Sequence, residues 1–153
     1  MKIWVDADAC PAEIKELIIR TARRRKIPAV FVANKFIGIP DSAYVAAVRV
    51  GMGPEVVDDY IAQHTETSDL AVTQDIPLAS VLVPKGVTVI NPRGDLYTEE
   101  NIGERLSIRN FMQDIRESGT ITPGPKPFGQ REKQRFSETF DRELNKCMKR
   151  IGT

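Results

Sequence analysis

Residues 2–26 read KIWVDADACPAEIKELIIRTARRRK, and their pattern changes period in the middle. Ile3, Trp4 and Val5 form a short, continuously apolar run of strand-forming residues, as a buried strand requires. Pro11 comes next, and its missing N–H costs nothing at the first position of a helix. From there Ile14, Leu17 and Ile18 recur at helical spacing, and Arg23, Arg24, Arg25 and Lys26 close the segment. Cations at a helix C-terminus are favoured by the dipole, which accounts for that basic run without a ligand. A strand turning directly into an amphipathic helix is the opening of a β-α-β unit.

The same beat continues outward. PAVFVAN (28–34) reads as a second buried strand and YVAAVRV (44–50) as a third. Gly51, Gly53 and Pro54 break the chain before EVVDDYIAQHT (55–65), a helix with Val56, Val57, Tyr60 and Ile61 on one face. LAVT (70–73) is a further strand, QDIPLASVLVPKG (74–86) a turn and short helix, and VTVINP (87–92) the last strand. Alternation of this kind predicts an α/β fold: a mostly parallel five-stranded sheet with helices on both faces. A helix is expected over 98–117. Residues 120–130, TITPGPKPFGQ, hold three prolines and two glycines and read as an extended connector. Residues 131–151 return to helical spacing through Phe136, Phe140 and Leu144. The expected organisation is one α/β domain over 1–118, then a connector and basic C-terminal helix over 119–153.

Composition narrows the class. A chain of 153 residues with 41% hydrophobic content can bury a core without staples. Cys10 and Cys147 make no framework spacing, which suits a reducing, cytoplasmic setting. No apolar run approaches the ~18 residues of a membrane span, and Asp6 and Asp8 interrupt the only early apolar stretch, so no signal peptide is expected. The net charge of +1 is unevenly spread. Residues 1–34 carry seven Lys/Arg against four Asp/Glu, 35–103 four against ten, and 104–153 eleven against seven. An acidic middle between basic flanks suits a cation site beside surfaces that attract a polyanion.

Open parallel sheets bind ligands outside the carboxyl ends of their strands. Asp6 and Asp8 lie at the end of the first strand, and Asp75 just past LAVT; if those strands are neighbours, the three carboxylates converge. Glu55, Asp58 and Asp59 are spaced to lie close on one helix surface. Asp69 opens its strand and belongs at the opposite edge. Carboxylates gathered together repel unless they share a cation or a proton. An all-oxygen set without histidine suits Mg²⁺ or Mn²⁺ and argues against zinc. Such ions activate water and stabilise a leaving oxygen in phosphodiester cleavage. The D-x-D strand end also resembles the haloacid-dehalogenase phosphatases, but the acidic pair Asp58-Asp59 precedes Thr73 and Lys85, the reverse of the order they need. Cys10 at a helix start would be a candidate nucleophile. With Glu13 and Glu16 where a second cysteine or an arginine would be required, it reads as a small buried residue.

WVDADACP, VAN, DLAVTQDIPLA, INPRG and GPKPFGQRE together resemble the YaiI/YqxD family of small bacterial proteins over nearly the whole chain. That family is grouped with the PIN-like domains, metal-dependent nucleases related to the 5′-nuclease fold. The resemblance implies a PIN-like three-layer sandwich and a metal-dependent ribonuclease. In it Asp6 matches the first-strand acid, Asp58 the acid of the middle helix and Asp75 the acid after the fourth strand. Asp6, Asp8, Asp58 and Asp75 are then the expected metal ligands, and Asp6, Asp58 and Asp75 the catalytic set. Thr73 and Gln74 beside Asp75, with Arg93, Lys126, Arg131, Lys133 and Arg135, are candidates to contact single-stranded RNA, and Phe128 to stack on it. The other reading is a nucleic-acid-binding or regulatory protein whose acidic site is vestigial. Two departures from the family pattern are visible: Ser68 where glycine is usual, and Thr122-Pro123-Gly124-Pro125 where TGGP is common.

Overall fold

The computed structural model describes residues 1–39, 42–53, 55–119 and 127–152, with 151 and 152 by backbone only. Lys126 and residues 122–125 therefore lie outside the described residues. The strands are β1 (Ile3–Asp6), β2 (Ala29–Ala33), β3 (Val45–Arg49), β4 (Leu70–Val72), β5 (Thr88–Ile90) and β6 (Leu96–Tyr97). The helices are α1 (Ala12–Arg25), α2 (Val56–His64), α3 (Ile76–Leu82), α4 (Glu99–Glu117) and α5 (Gln130–Gly152).

One sheet runs in the order β3-β2-β1-β4-β5-β6. Its first five strands are parallel, and β6 pairs antiparallel with β5. The expected five-stranded sheet thus gains a sixth strand, so VTVINP is not the last. Two residues are too few to show a period of two, which is why β6 left no pattern to read. The order carries the main structural consequence. The chain steps from β1 outward through β2 to β3, then returns to lay β4 on the other side of β1. That reversal opens a crevice at the carboxyl ends of β1 and β4.

Alternation along β1 divides the core. Ile3 and Val5 point to one face, where Ile14, Ile18 and Ala22 of α1 and Phe136, Phe140, Leu144 and Cys147 of α5 enclose them. Trp4 points to the other face with Val32, Ala71 and Val89, under Val57 and Ile61 of α2, Leu78 and Leu82 of α3, and Ile102 of α4. Helices on both faces leave only the strand ends for solvent and ligands. Among the described residues, no helix is long and apolar enough to cross a membrane.

Three local features refine the sequence reading. A single 3-10 turn, Ala7–Ala9, separates β1 from α1, and Pro11 is the N-cap of α1, one residue earlier than expected. Its carbonyl accepts from the amides of Ile14 and Lys15. The basic run does close α1, with Lys26 left-handed at φ 58°. Ser68 is also left-handed, at φ 79°, which explains why a glycine is at home in that position.

Candidate functional site

Asp6 is the last residue of β1, and Thr73 follows β4 immediately. Because β1 and β4 are paired neighbours, the Thr73 hydroxyl donates to Asp6 Oδ2 at 2.9 Å, with both side chains buried. The same hydroxyl oxygen accepts from the Asp75 amide at 3.0 Å, which fixes the turn between β4 and α3. Asp75 is the N-cap of α3, its Oδ1 accepting from the Leu78 amide at 2.8 Å. A carboxylate there is favoured by the helix dipole.

Asp58 reaches this corner from the first turn of α2, where its carboxyl is hydrogen-bonded to that of Asp75. Burial pushes the Asp58 pKa up to about 8, helped by the Asp75 hydrogen bond and by the negative charges of Asp75, Asp6 and Asp59. Asp58 therefore keeps its proton near neutral pH, beside Asp75. Asp6 is raised as well, mainly by burial and then by the charges of Asp75 and Asp8, against the lowering effect of the Thr73 hydroxyl.

Asp8 sits in the 3-10 turn, and its Oδ2 accepts from the Asn34 amide at 2.9 Å. Its Oδ1 is buried and has no hydrogen-bond partner among the described residues. Gln74 ties the two strand ends together through Nε2 to the Ala9 carbonyl, at 2.8 Å. Cys10 is a buried thiol, and desolvation, with a smaller push from Asp6, drives its pKa up to about 12 in spite of Lys15. A thiol held neutral in this way is a packing residue, not a nucleophile.

Asp6, Asp58 and Asp75 thus come together at the crevice, with Asp8 one turn along the chain from Asp6. Glu55 and Asp59 line a shallow cavity of about 160 Å³ beside Asp58, walled by Pro77, Leu78 and Val81. Asp69 lies at the other end of the sheet, where it accepts from the Lys2 amide, the Trp4 indole N–H and the Glu66 amide. It is a structural acid.

The donor set is all oxygen and acidic, which fits Mg²⁺ or Mn²⁺ in kind. Among the described residues, however, no three His, Cys, Asp or Glu side chains form a ready-made cation cage. Asp58 stands instead as a raised acid beside Asp75, with Asp6 close enough to raise it further. Magnesium is commonly held by one or two carboxylates, waters and substrate phosphate, so a complete protein cage is not a requirement. The orphaned Asp8 Oδ1 is a further oxygen lacking the partner that a buried acceptor needs.

The basic candidates lie along the same carboxyl edge, beyond β5. Arg93 donates to the Pro127 carbonyl at 3.3 Å, faces Phe128 at 5.7 Å and pairs with Glu132 at 3.9 Å. Arg135 is bound to Asp95 at 2.6 Å. Arg131 is exposed and Lys133 half-buried, both in the first turns of α5. Thr73 is buried beneath Asp6, and Gln74 is exposed at the rim.

Two motifs carry partners that the sequence reading quoted without a role. The last residue of VAN, Asn34, holds Asp8 by its amide. In INPRG the Asn91 side chain donates to Asp95 and to the Tyr97 hydroxyl while accepting from the Arg93 and Asp95 amides. The Tyr97 hydroxyl is raised by burial and by the charges of Asp95 and Asp75, and lowered by Asn91 and Arg105.

A family model described as uncharacterized, YaiI/YqxD family, matches residues 4–146. The chain belongs to the YaiI/YqxD family. It is 76% identical to a UPF0178 protein of Syntrophobacter fumaroxidans over 99% of each chain. Identity is 54% to a UPF0178 protein of Myxococcus xanthus over 97% of each. It is 50% to one of Shewanella baltica, over 94% of this chain and 95% of that one. No solved structure matches the chain significantly. The family match spans both the crevice residues and most of α5, so acid corner and arginine edge belong to the same family unit.

Proposed function

We propose that this YaiI/YqxD protein is a metal-dependent phosphodiester hydrolase acting on single-stranded RNA. The observation that carries this reading is the Asp58–Asp75 carboxyl pair, set beside Asp6 at the crevice where the strand order reverses. Carboxyls crowded where burial and its neighbours raise the Asp58 pKa are an arrangement that a divalent cation relieves. Asp6, Asp58 and Asp75 would hold Mg²⁺ or Mn²⁺, with Asp8 in support, and the ion would lower the pKa of bound water and offset charge on the leaving oxygen.

The chain's own residues supply the rest. Thr73 keeps the Asp6 carboxylate turned to the crevice, and the α3 N-terminus fixes the Asp75 carboxylate. Asp58, in the first turn of α2, would bring its carboxyl to the ion as a ligand alongside Asp75. Arg131 and Lys133, with Arg93 and Arg135, offer phosphate-binding charge on the same edge. Lys126 joins this proposal on sequence grounds alone.

Purified protein with Mn²⁺ should cleave single-stranded RNA. Asp75→Asn should abolish cleavage and weaken Mn²⁺ binding, read by calorimetry, at least tenfold. No cleavage by the wild type, together with unchanged Mn²⁺ affinity in the variant, overturns the reading. Metal-independent, salt-sensitive RNA binding would then favour a binding protein with a vestigial acid corner.

A further inference from the structure

The acid corner has a second flank, on the side of β2 and β3. Asp6 is in register with Val32, and the next residue of β2, Ala33, is in register with Arg49. The Val50 amide donates to the Ala33 carbonyl at 2.9 Å, so the two strands stay joined past their last pair. Phe36 and Met52 each follow three residues beyond the Ala33–Arg49 pair. Three residues span at most ~11 Å, and neighbouring strands lie ~4.8 Å apart, so both leave the sheet edge that carries Asp6. The chain is tied to the corner on either side of them. The Asn34 amide, two residues before Phe36, donates to Asp8 Oδ2 at 2.9 Å, and α2, four residues after Met52, brings Asp58.

Phe36 is 80% exposed and Met52 81%, the most exposed large apolar side chains among the described residues. A ring and a thioether held in water gain nothing from the fold, and both favour a flat π surface supplied from outside. Phe128, which the sequence offered for stacking, is by contrast half-buried, packed against the core and faced by Arg93. Lys35 and Arg49 are exposed beside the apolar pair, and neither makes an ion pair or hydrogen bond among the described residues. The described acid of this flank is Glu55, at the N-cap of α2, in the wall of the cavity beside Asp58.

We infer that Phe36 and Met52 are a platform for unpaired bases of single-stranded RNA, and that Lys35 and Arg49 hold the phosphates between those bases. The inference deepens the proposed function and rests on it for the phosphodiester at the acid corner. What selects a nucleic acid over an apolar protein surface is the interleaving. Lys35 adjoins Phe36, and Arg49 lies three residues before Met52, which serves a strand that alternates π faces with negative charge. An apolar partner would leave both cations unanswered. Stacking takes the face of a base, which a duplex keeps covered, so the platform discriminates against paired strands while tolerating most sequences.

The test is binding of a short single-stranded RNA by the full chain in EDTA at low salt, read by fluorescence anisotropy. The same strand carrying abasic sites, and its duplex, are the comparisons. The intact strand should bind about tenfold more tightly than the abasic one, as stacking of a single base supplies. Phe36→Ala and Met52→Ala, exposed changes that leave the urea midpoint in place, should each reduce that base preference, and Phe36→Trp should keep it. Lys35→Gln should weaken intact and abasic strands alike and lower the salt dependence. Asp75→Asn should keep the base preference. Equal binding of intact and abasic strands, a preference retained in Phe36→Ala, or a duplex bound as tightly as the single strand overturns the inference. So does a wild type that sediments as a dimer which Phe36→Ala dissociates, because a second copy would then cover the platform. Failure of the proposed reaction appears separately, as an intact base preference without Mn²⁺-dependent cleavage.

Discussion

At the scale of single residues, the site is defined by a proton. Asp58 would ionise freely in the unfolded chain, but in the fold burial and Asp75 raise its pKa from 3.8 to about 8. The sign follows from linkage. A raised folded pKa means that the native state holds a proton the unfolded state releases. The contribution to stability is complete below the unfolded value and is lost as pH rises through about 8. With chelator present, wild-type urea midpoints should therefore fall between about pH 5 and pH 9. Asp58→Asn should flatten that dependence and be the more stable protein at the alkaline end. The effect should be modest, because the pair is partly open to solvent. A wild-type profile that rises or stays level over that window would show that the fold does not raise Asp58. Strand-end logic made Asp6, Asp8 and Asp75 legible in the sequence. The raised pKa of Asp58 was not, since it depends on how far α2 leans toward the α3 cap, which no spacing encodes.

At the scale of elements, the turn after β5 does more than reverse the chain. Gly94 has φ +90°, and a Cβ there would sit 2.8 Å from the Arg135 carbonyl carbon and oxygen. The Gly94 carbonyl also accepts from the Thr139 hydroxyl at 2.9 Å. The motif INPRG is thus the seat on which α5 lands, and its glycine is demanded by close approach as well as by backbone angle. Gly94→Ala should cost about 1–3 kcal/mol from strain and from pushing α5 outward. Chemical denaturation measures that loss, and a neutral substitution would mean that α5 does not sit so close. Helices and strands announced by apolar period were readable to within a residue or two. Elements without a period were not: the 3-10 turn, β6 and the ion pairs that tie Arg93 and Arg135 to Glu132 and Asp95. Those arginines read as free cations in sequence because their partners arrive from another element.

At the scale of the whole molecule, the question is whether the last helix is an appendage or part of the body. Phe136, Phe140, Leu144 and Cys147 share one buried cluster with Ile3 and Val5 of the central strand. The prolines before α5 suggested a separate segment, but the apolar spacing within it already implied a face seeking cover. If α5 completes one face of the sheet, its core must unfold with the rest. Phe140 is 1% exposed and stacks on Phe136 with ring centroids 5.2 Å apart. Phe140→Ala should therefore cost about 3–5 kcal/mol. The chain's single tryptophan, Trp4, gives a discriminating probe, because it lies on the opposite face of the sheet, under α2 and α3. Its fluorescence midpoint in urea should shift together with the circular dichroism midpoint, as one cooperative unit requires. Were α5 an appendage, helical signal would melt early and the Trp4 transition would stay where it is.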